Sequence, residues 1–386
     1  MLVEMKLKTS TSFRALSLDF AIMISVLKLP CSAPTHTTAI NWVEKVGFYN
    51  LFLPKEKAND WIIILDESIQ MGQNKILLIY GIREKNIDFN RPLKLQDLRV
   101  LRELVLSDSS GGIIAEELKE LQNEIGIIKY AVCDGGRNLV KALSLNKTPH
   151  IHDLTHKLAI IVKKIFEKDT IYLKIVEEMT KLRKKYFHSK ISHLIPPAIR
   201  TKSRFLNIDI ISEWLKNTLR YVELKKENYE YFDWLLKYKD FIKDFCEINE
   251  KINCIEKLLK TNGFSKKTKI ESEIFLEELK SRKGEIFKDG LKEYFVDIEN
   301  KMVSDKMLIC SDIIESSFGK YKNYVSNNKM AGVTNLILCL SAFTSDFSEE
   351  TIKKALESTT INDIKKWSAD FIGKTVFQKR KEAFCT

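Results

Sequence analysis

The chain predicts an α/β fold in which a mixed sheet is interrupted by a long helical segment. Three observations carry this reading. Short apolar runs of strand length recur between residues 58 and 153, at 61–65, 76–82, 101–106 and 127–133. Amphipathic helical patterns separate the later runs, at 113–124 and 137–145. After Asp153 the strand pattern stops, and apolar residues step by three and four until about residue 308.

Residues 1–57 read as helical. Ser12 can cap a helix from Phe13 to about Lys28, and Pro30 stops it. A second helix begins at Pro34-Thr35 and is expected to end at Gly47. Ile40, Val43 and Val46 recur every third residue and can face the first helix, leaving Thr37, Thr38, Asn41 and Lys45 pointing outward. Two helices joined by a short turn, the second polar-faced, fit a helix-turn-helix that binds DNA. They fit equally a plain helical hairpin packed on the core.

From Asp60 the period changes. Residues 61–65 and 76–82 read as adjacent strands joined at Gly72-Gln73-Asn74, and 101–106 as a third. Gly111-Gly112 then punctuates the chain before the helix at 113–124. The strand ending at Asp134 follows, then the helix at 137–145 and a short fifth strand over 150–153. Three strands, a helix, a strand, a helix and a strand is the order of a ribonuclease-H-like core. The expected domains are an N-terminal helical region (1–57), the first part of the core (58–153), a helical insertion (154–308), and a return to the core with the C-terminal helices (309–386).

Within the insertion, Leu235, Tyr238, Ile242, Phe245, Ile248, Ile252, Ile255 and Leu259 form a seam of near-heptad rhythm, which is a packing stripe. Another stretch has a different character. Lys181, Arg183, Lys184, Lys185, Lys190, Arg200, Lys202 and Arg204 occur with no acidic residue among them, interleaved with Tyr186, Phe187, His188 and His193. Cations with aromatic neighbours suit a nucleic-acid backbone track, the bland alternative being a solvated face.

The bulk composition agrees. Lys and Arg number 63 against 52 Asp and Glu, a net charge of +11 that suits a polyanionic partner. With 44% apolar and 30% charged residues the chain can bury an ordinary core. Its 7 cysteines lack metal-like pairing and fit a reducing cytoplasm rather than a disulfide scaffold. The apolar stretch at 16–29 is interrupted by Asp19 and runs on into patterned sequence, unlike a signal peptide. No run of 18 apolar residues occurs, so no membrane partner is expected.

Three carboxylates are placed for chemistry. Asp66 closes the first strand run, Asp134 closes the fourth ahead of Gly135-Gly136, and Glu315 lies in a later helical pattern. Together they can hold a pair of Mg²⁺ (or Mn²⁺) ions for in-line phosphoryl transfer. Glu67 should face away from Asp66 on a strand. Asp312 shares the helical face of Glu315 and is the alternative third ligand. His152 and His156 could bind one metal if both were helical, but His152 falls at a strand end, which favours locally satisfied or DNA-facing histidines. No HExxH, phosphate-binding loop, dinucleotide fingerprint or serine-nucleophile elbow occurs.

These residues resemble the blocks of bacterial insertion-sequence DDE transposases. The similarity covers Asp66, Cys133-Asp134-Gly135-Gly136-Arg137-Asn138-Leu139 and Glu315-Ser316-Ser317-Phe318-Gly319-Lys320-Tyr321-Lys322. It extends to His152-Asp153-Leu154-Thr155-His156, Pro196-Pro197-Ala198-Ile199-Arg200, Arg204-Phe205-Leu206-Asn207, Pro34-Thr35-His36-Thr37-Thr38 and Asn41-Trp42. The resemblance implies a ribonuclease-H-like fold and Mg²⁺-dependent cleavage at transposon ends, with strand transfer by the freed 3′-hydroxyl. It also implies double-stranded end and target DNA as partners, added cations at Lys320 and Lys322, a homodimer or larger assembly on DNA, and a bacterial cytoplasmic, nucleoid-associated setting. A nuclease of the same fold without joining, and a non-catalytic DNA-binding protein on this scaffold, are the rival expectations.

Overall fold

The computed structural model describes residues 1–69, 74–199, 205–325 and 332–385. In chain order the first elements are α1 (Leu2–Lys8), α2 (Phe13–Leu27), α3 (His36–Phe52), β1 (Ala58–Ile69), β2 (Lys75–Arg83), β3 (Arg99–Leu106), α4 (Gly111–Ile125), β4 (Gly126–Cys133), α5 (Arg137–Leu145) and β5 (His150–His152). Then come α6 (Leu154–Phe166), α7 (Thr170–Tyr186), α8 (Ile208–Glu223), α9 (Lys239–Asn262), α10 (Lys266–Glu277) and α11 (Arg282–Asn300). The chain closes with α12 (Asp312–Val325), α13 (Cys339–Ala342), α14 (Glu349–Ser358), α15 (Ile361–Phe371) and α16 (Val376–Phe384). It divides into two compact units. One holds residues 1–88, 92–151 and 310–386; the other holds 89–91 and 152–309.

The first unit is built on a five-stranded sheet of order β3-β2-β1-β4-β5. β1 pairs antiparallel with β2, β2 antiparallel with β3, and β1 parallel with β4. A meander of three strands, then β4 parallel to β1 and reached through α4, with β5 bordering β4 after α5, is the ribonuclease-H-like mixed α/β arrangement. Side chains alternate across the sheet. Trp61, Ile63 and Leu65 of β1 join Ala131 and Cys133 of β4 in a core closed by Leu118 and Leu121 of α4 and Leu139 and Leu143 of α5. A bulge in β3, where the register with β2 shifts between Ile79 and Tyr80, lets both Val100 and Leu101 be buried.

The opposite face is covered by α3, α12 and α13. Here the Tyr80 hydroxyl donates to the Leu340 carbonyl at 2.8 Å, and Asn50 donates to Ser341 O at 2.6 Å. α2 starts as the sequence implies, with the Ser12 side chain accepting from Ala15 N, and ends with Lys28 in the left-handed region. A further helix, α1, precedes α2 within this helical region. One expectation fails here: α3 runs through Gly47 to Phe52. Gly47 does not end the helix but lets it approach α13: a Cβ there would lie 2.0 Å from the Leu338 carbonyl oxygen.

Among its described residues the second unit is built of helices, with a bridge pairing Phe264 with Met307. Side-chain caps from Asp153, Asp169, Ser265 and Ser281 start α6, α7, α10 and α11. The seam of α9, from Ile242 to Leu259, is buried, and Phe245 meets Phe166 of α6 edge-on at 5.0 Å between ring centroids. Residues 89–91 belong to this unit because Phe89 packs where a Cβ of Gly263 would be, 2.4 Å from its ring, and its carbonyl accepts from the Asn262 amide. Among the described residues no helix is long and apolar enough to cross a membrane.

Candidate active site

β1 does not end at Asp66. It continues to Ile69, because Asp66 pairs with Leu78 and the ladder with β2 extends to Ile69 opposite Lys75. On its other side the parallel ladder with β4 ends at Ile64 and Val132. Asp66 is therefore inside one ladder and at the rim of the other. Asp134 immediately follows β4, and its Oδ1 accepts from Gly136 N at 2.9 Å, which turns the chain toward α5. Asp66 and Asp134 each lie two residues beyond the Ile64–Val132 pair, and both are half-buried.

Alternation fixes their side. Ile63, Leu65, Ala131 and Cys133 face α4 and α5, so Asp66 and Asp134 face the other way. The same face carries Tyr80, which is directly opposite Ile64 and whose phenol is hydrogen-bonded to Ser317 of α12. α12 packs on β1, and Glu315 occupies its first turn together with Asp312, both half-buried. Asp66, Asp134 and Glu315 thus share one side of the sheet. Among the described residues the three do not form a group with all ligand oxygens within 4.8 Å of one another. Two ions about 4 Å apart call for ligands spread over a longer span. Glu67 faces the α4 side, as alternation requires, and pairs with Lys75 at 3.6 Å.

Another carboxylate of the sheet was not singled out by the sequence. Glu103 of β3 is opposite Leu78, which is opposite Asp66, so the two acids lie in one row across the sheet. Glu103 is fully buried, accepts from Ser341 N at 3.0 Å and from the Ser341 hydroxyl, and burial pushes it up to about 8. The bulge in β3 displaced it from the face that simple alternation gives.

The basic positions fare unevenly. Thr37, Thr38 and Asn41 are exposed or half-exposed on the first turns of α3, with Thr38 N donating to the Thr35 cap. Lys45 is turned inward and donates to the Leu356 carbonyl at 2.9 Å. α3 packs against α2, α13, α14 and α15, so the hairpin is built into the core-covering layer. In the second unit Lys181 forms ion pairs with Glu177 at 2.7 Å and Glu178 at 2.9 Å, acids one turn upstream of the run. Arg183 donates to the Pro196 carbonyl and lies 5.3 Å from the Phe187 ring. Lys184 and Lys185 are exposed. Arg200, Lys202 and Arg204 lie outside the described residues. In the first unit Lys322 is exposed, while Lys320 is half-buried 5.4 Å from the Phe343 ring.

His152 and His156 each meet Asp153: His152 Nδ1 is 3.2 Å from its carbonyl, and His156 Nδ1 is 3.2 Å from its carboxylate, which also caps α6. Burial lowers the His152 pKa. The strand-end placement of His152 keeps the pair from acting as two histidines on one helical face.

No family model matches the sequence, and no curated protein matches it. Among solved structures, the Drosophila P element transposase strand transfer complex is similar over 91% of this chain and 92% of that chain, at 12% identity and a TM-score of 0.47. That likeness is one of chain course.

Proposed function

We propose that this chain is a metal-dependent DNA-processing enzyme of the DDE transposase kind, which binds transposon-end DNA, cleaves a phosphodiester and joins the freed end to a target. The observation that supports it is the common level and common side of Asp66 on β1 and Asp134 just after β4, with the helix that carries Glu315 packed on β1. Their carboxylate oxygens are hard donors on a partly open face, a donor set that fits Mg²⁺ or Mn²⁺. Asp66, Asp134 and Glu315 would hold the ions, which when bound activate the attacking oxygen and neutralise the leaving one.

The protein's own contribution is positioning. Asp66 is fixed by its ladder with β2, and Asp134 by the turn it makes with Gly136. Glu315 is fixed by the packing of Ile314, Ser317 and Phe318 beside it. The exposed Lys184, Lys185 and Lys322 would bind DNA phosphate, and function on paired ends would call for at least a dimer. The motif blocks around Asp134 and Glu315 favour transposition over simple hydrolysis.

The test is nicking and joining of duplex DNA by the purified protein with Mg²⁺ or Mn²⁺, beside a binding titration in Ca²⁺. Metal-dependent cleavage with joining supports the reading. Cleavage without joining reduces it to a nuclease. Binding with no cleavage in either metal leaves a non-catalytic DNA-binding protein.

A further inference from the structure

The last helix of the first unit has nowhere to put its apolar side. α16 buries no residue, and Phe377 and Phe384 are 70% and 78% exposed. Seven residues apart, they lie on one helical face, with Arg380 and Lys381 between them on that same face. Neither cation has an ion pair among the described residues.

The same unit carries a groove of matching chemistry. A cavity of about 420 Å³ has an aromatic floor of Phe52, Trp367 and Phe371 and an acidic wall of Glu117, Glu120 and Glu124 from α4. Trp367 and Phe371 stack at 6.0 Å, and half of the Phe52 and Phe371 rings is open to solvent. Glu124 is held by Arg102. Glu120 and Glu117, one and two turns earlier, have no ion pair among the described residues. Lys55 and Arg102 also line the cavity, Arg102 engaged by Glu124 and Lys55 donating to the Leu51 carbonyl, while burial, and then the neighbouring Glu120, raises the Glu117 pKa.

We infer that α16 of one copy of this chain docks in the Phe52–Trp367–Phe371 groove of a second copy, Phe377 and Phe384 seating on the aromatic floor and Arg380 and Lys381 meeting Glu117 and Glu120. Return of α16 to its own groove is disfavoured by how the helix begins. A reciprocal capping box of Thr375 and Gln378 sets its first turn, Lys374 pairs with Glu382 at 2.9 Å, and Gln378 lines a separate cavity with Glu44 and Asn335. A helix given and a groove received by each copy closes a two-fold dimer if the exchange is reciprocal, and builds open chains if it is not. The inference is independent of the proposed chemistry.

Sedimentation equilibrium of the full chain without DNA tests it. The wild-type protein should associate. Glu117→Lys with Glu120→Lys, or Arg380→Glu with Lys381→Glu, should each weaken association by about tenfold or more, and combining all four should restore it. Phe384→Ser, at an exposed position that leaves the fold intact, should weaken it independently. A wild-type monomer across the concentration range, charge reversals without effect, or a four-fold variant no better than either parent would each overturn the exchange. A monomer whose thermal stability drops on either charge reversal would mean that α16 occupies its own groove instead.

Discussion

Asp66 on β1 and Asp134, the residue that follows the adjacent parallel strand β4, each lie two residues past the Ile64–Val132 pair, on the side turned away from α4 and α5. Neighbouring strands are about 4.8 Å apart. Two carboxylates so placed repel one another unless a cation or a proton lies between them. Each acid also has a local backbone role, Asp66 Oδ1 accepting from Glu67 N at 2.7 Å and Asp134 Oδ1 from Gly136 N at 2.9 Å. A cation bound between them would offset that repulsion.

Asp66→Asn, Asp134→Asn and Glu315→Gln should therefore each abolish cleavage while sparing DNA binding. The amide keeps shape and removes the charge that holds the metal, at a cost of orders of magnitude in rate. A second readout separates site from scaffold. Each variant should lose the stabilisation that Mg²⁺ gives wild type. Full activity in any one variant removes that residue from the site.

Gly47→Ala should destabilise by about 2–4 kcal/mol, because the new methyl meets the Leu338 backbone, which cannot give way as a flexible side chain would. Gly319→Ala is the matched control. No atom lies within 4 Å of a Cβ at this exposed position on α12, so the change should stabilise by about 0.5–1 kcal/mol. Chemical denaturation of both variants decides whether α3 is the tightly docked element it is in this fold.

The strands were legible because their signals are local. Each apolar run from Trp61 to Cys133 carries its own period and its own turn residues. The limits of β1 and α3 were not, because partners distant in sequence set them. β2 holds the chain extended past Asp66, and the close approach of Leu338 demands a glycine inside a helix. Of the site, the face shared by Asp66 and Asp134 follows from alternation in the two strand runs, whereas the approach of α12 needs packing across more than half the chain. Glu103 was illegible for a similar reason, since a one-residue bulge reverses which side chains point inward.

Replacing Lys184 and Lys185 by Ala should reduce DNA affinity uniformly across sequences and lower the salt slope by up to about two units, about one for each phosphate that is no longer neutralised. Lys181→Ala should change the slope little, because Glu177 and Glu178 already neutralise that charge. Fluorescence anisotropy at several salt concentrations checks both. An equal loss from Lys181 would mean that its ion pairs open on DNA, and no loss from the other two would return them to a solvated face.

Stability should pass through a minimum near pH 8. Glu103 has its folded pKa raised by burial to about 8, from an ordinary 4.5, and Glu44 is raised to about 7 for the same reason. For a raised acid the folded state favours the proton. That contribution is complete below pH 4.5 and is lost as pH climbs through the folded value. Lys6 and Lys55 are depressed by burial to about 8 from 10.5. A depressed lysine resists its own charge in the folded state, so stability is regained as pH rises from about 8 toward 10.5. Glu103→Gln isolates the first limb. Its carbonyl oxygen still accepts from Ser341, while Glu103 Oε1 has no partner among the described residues, so the amide asks less of the site than a carboxylate does. The variant should match wild type at pH 5, exceed it by roughly 1–3 kcal/mol at pH 8, and keep the rise above that. Unfolding midpoints between pH 5 and 10 measure both limbs. A wild-type profile flat from 5 to 8 would mean that Glu103 is ionised and solvated in the native protein.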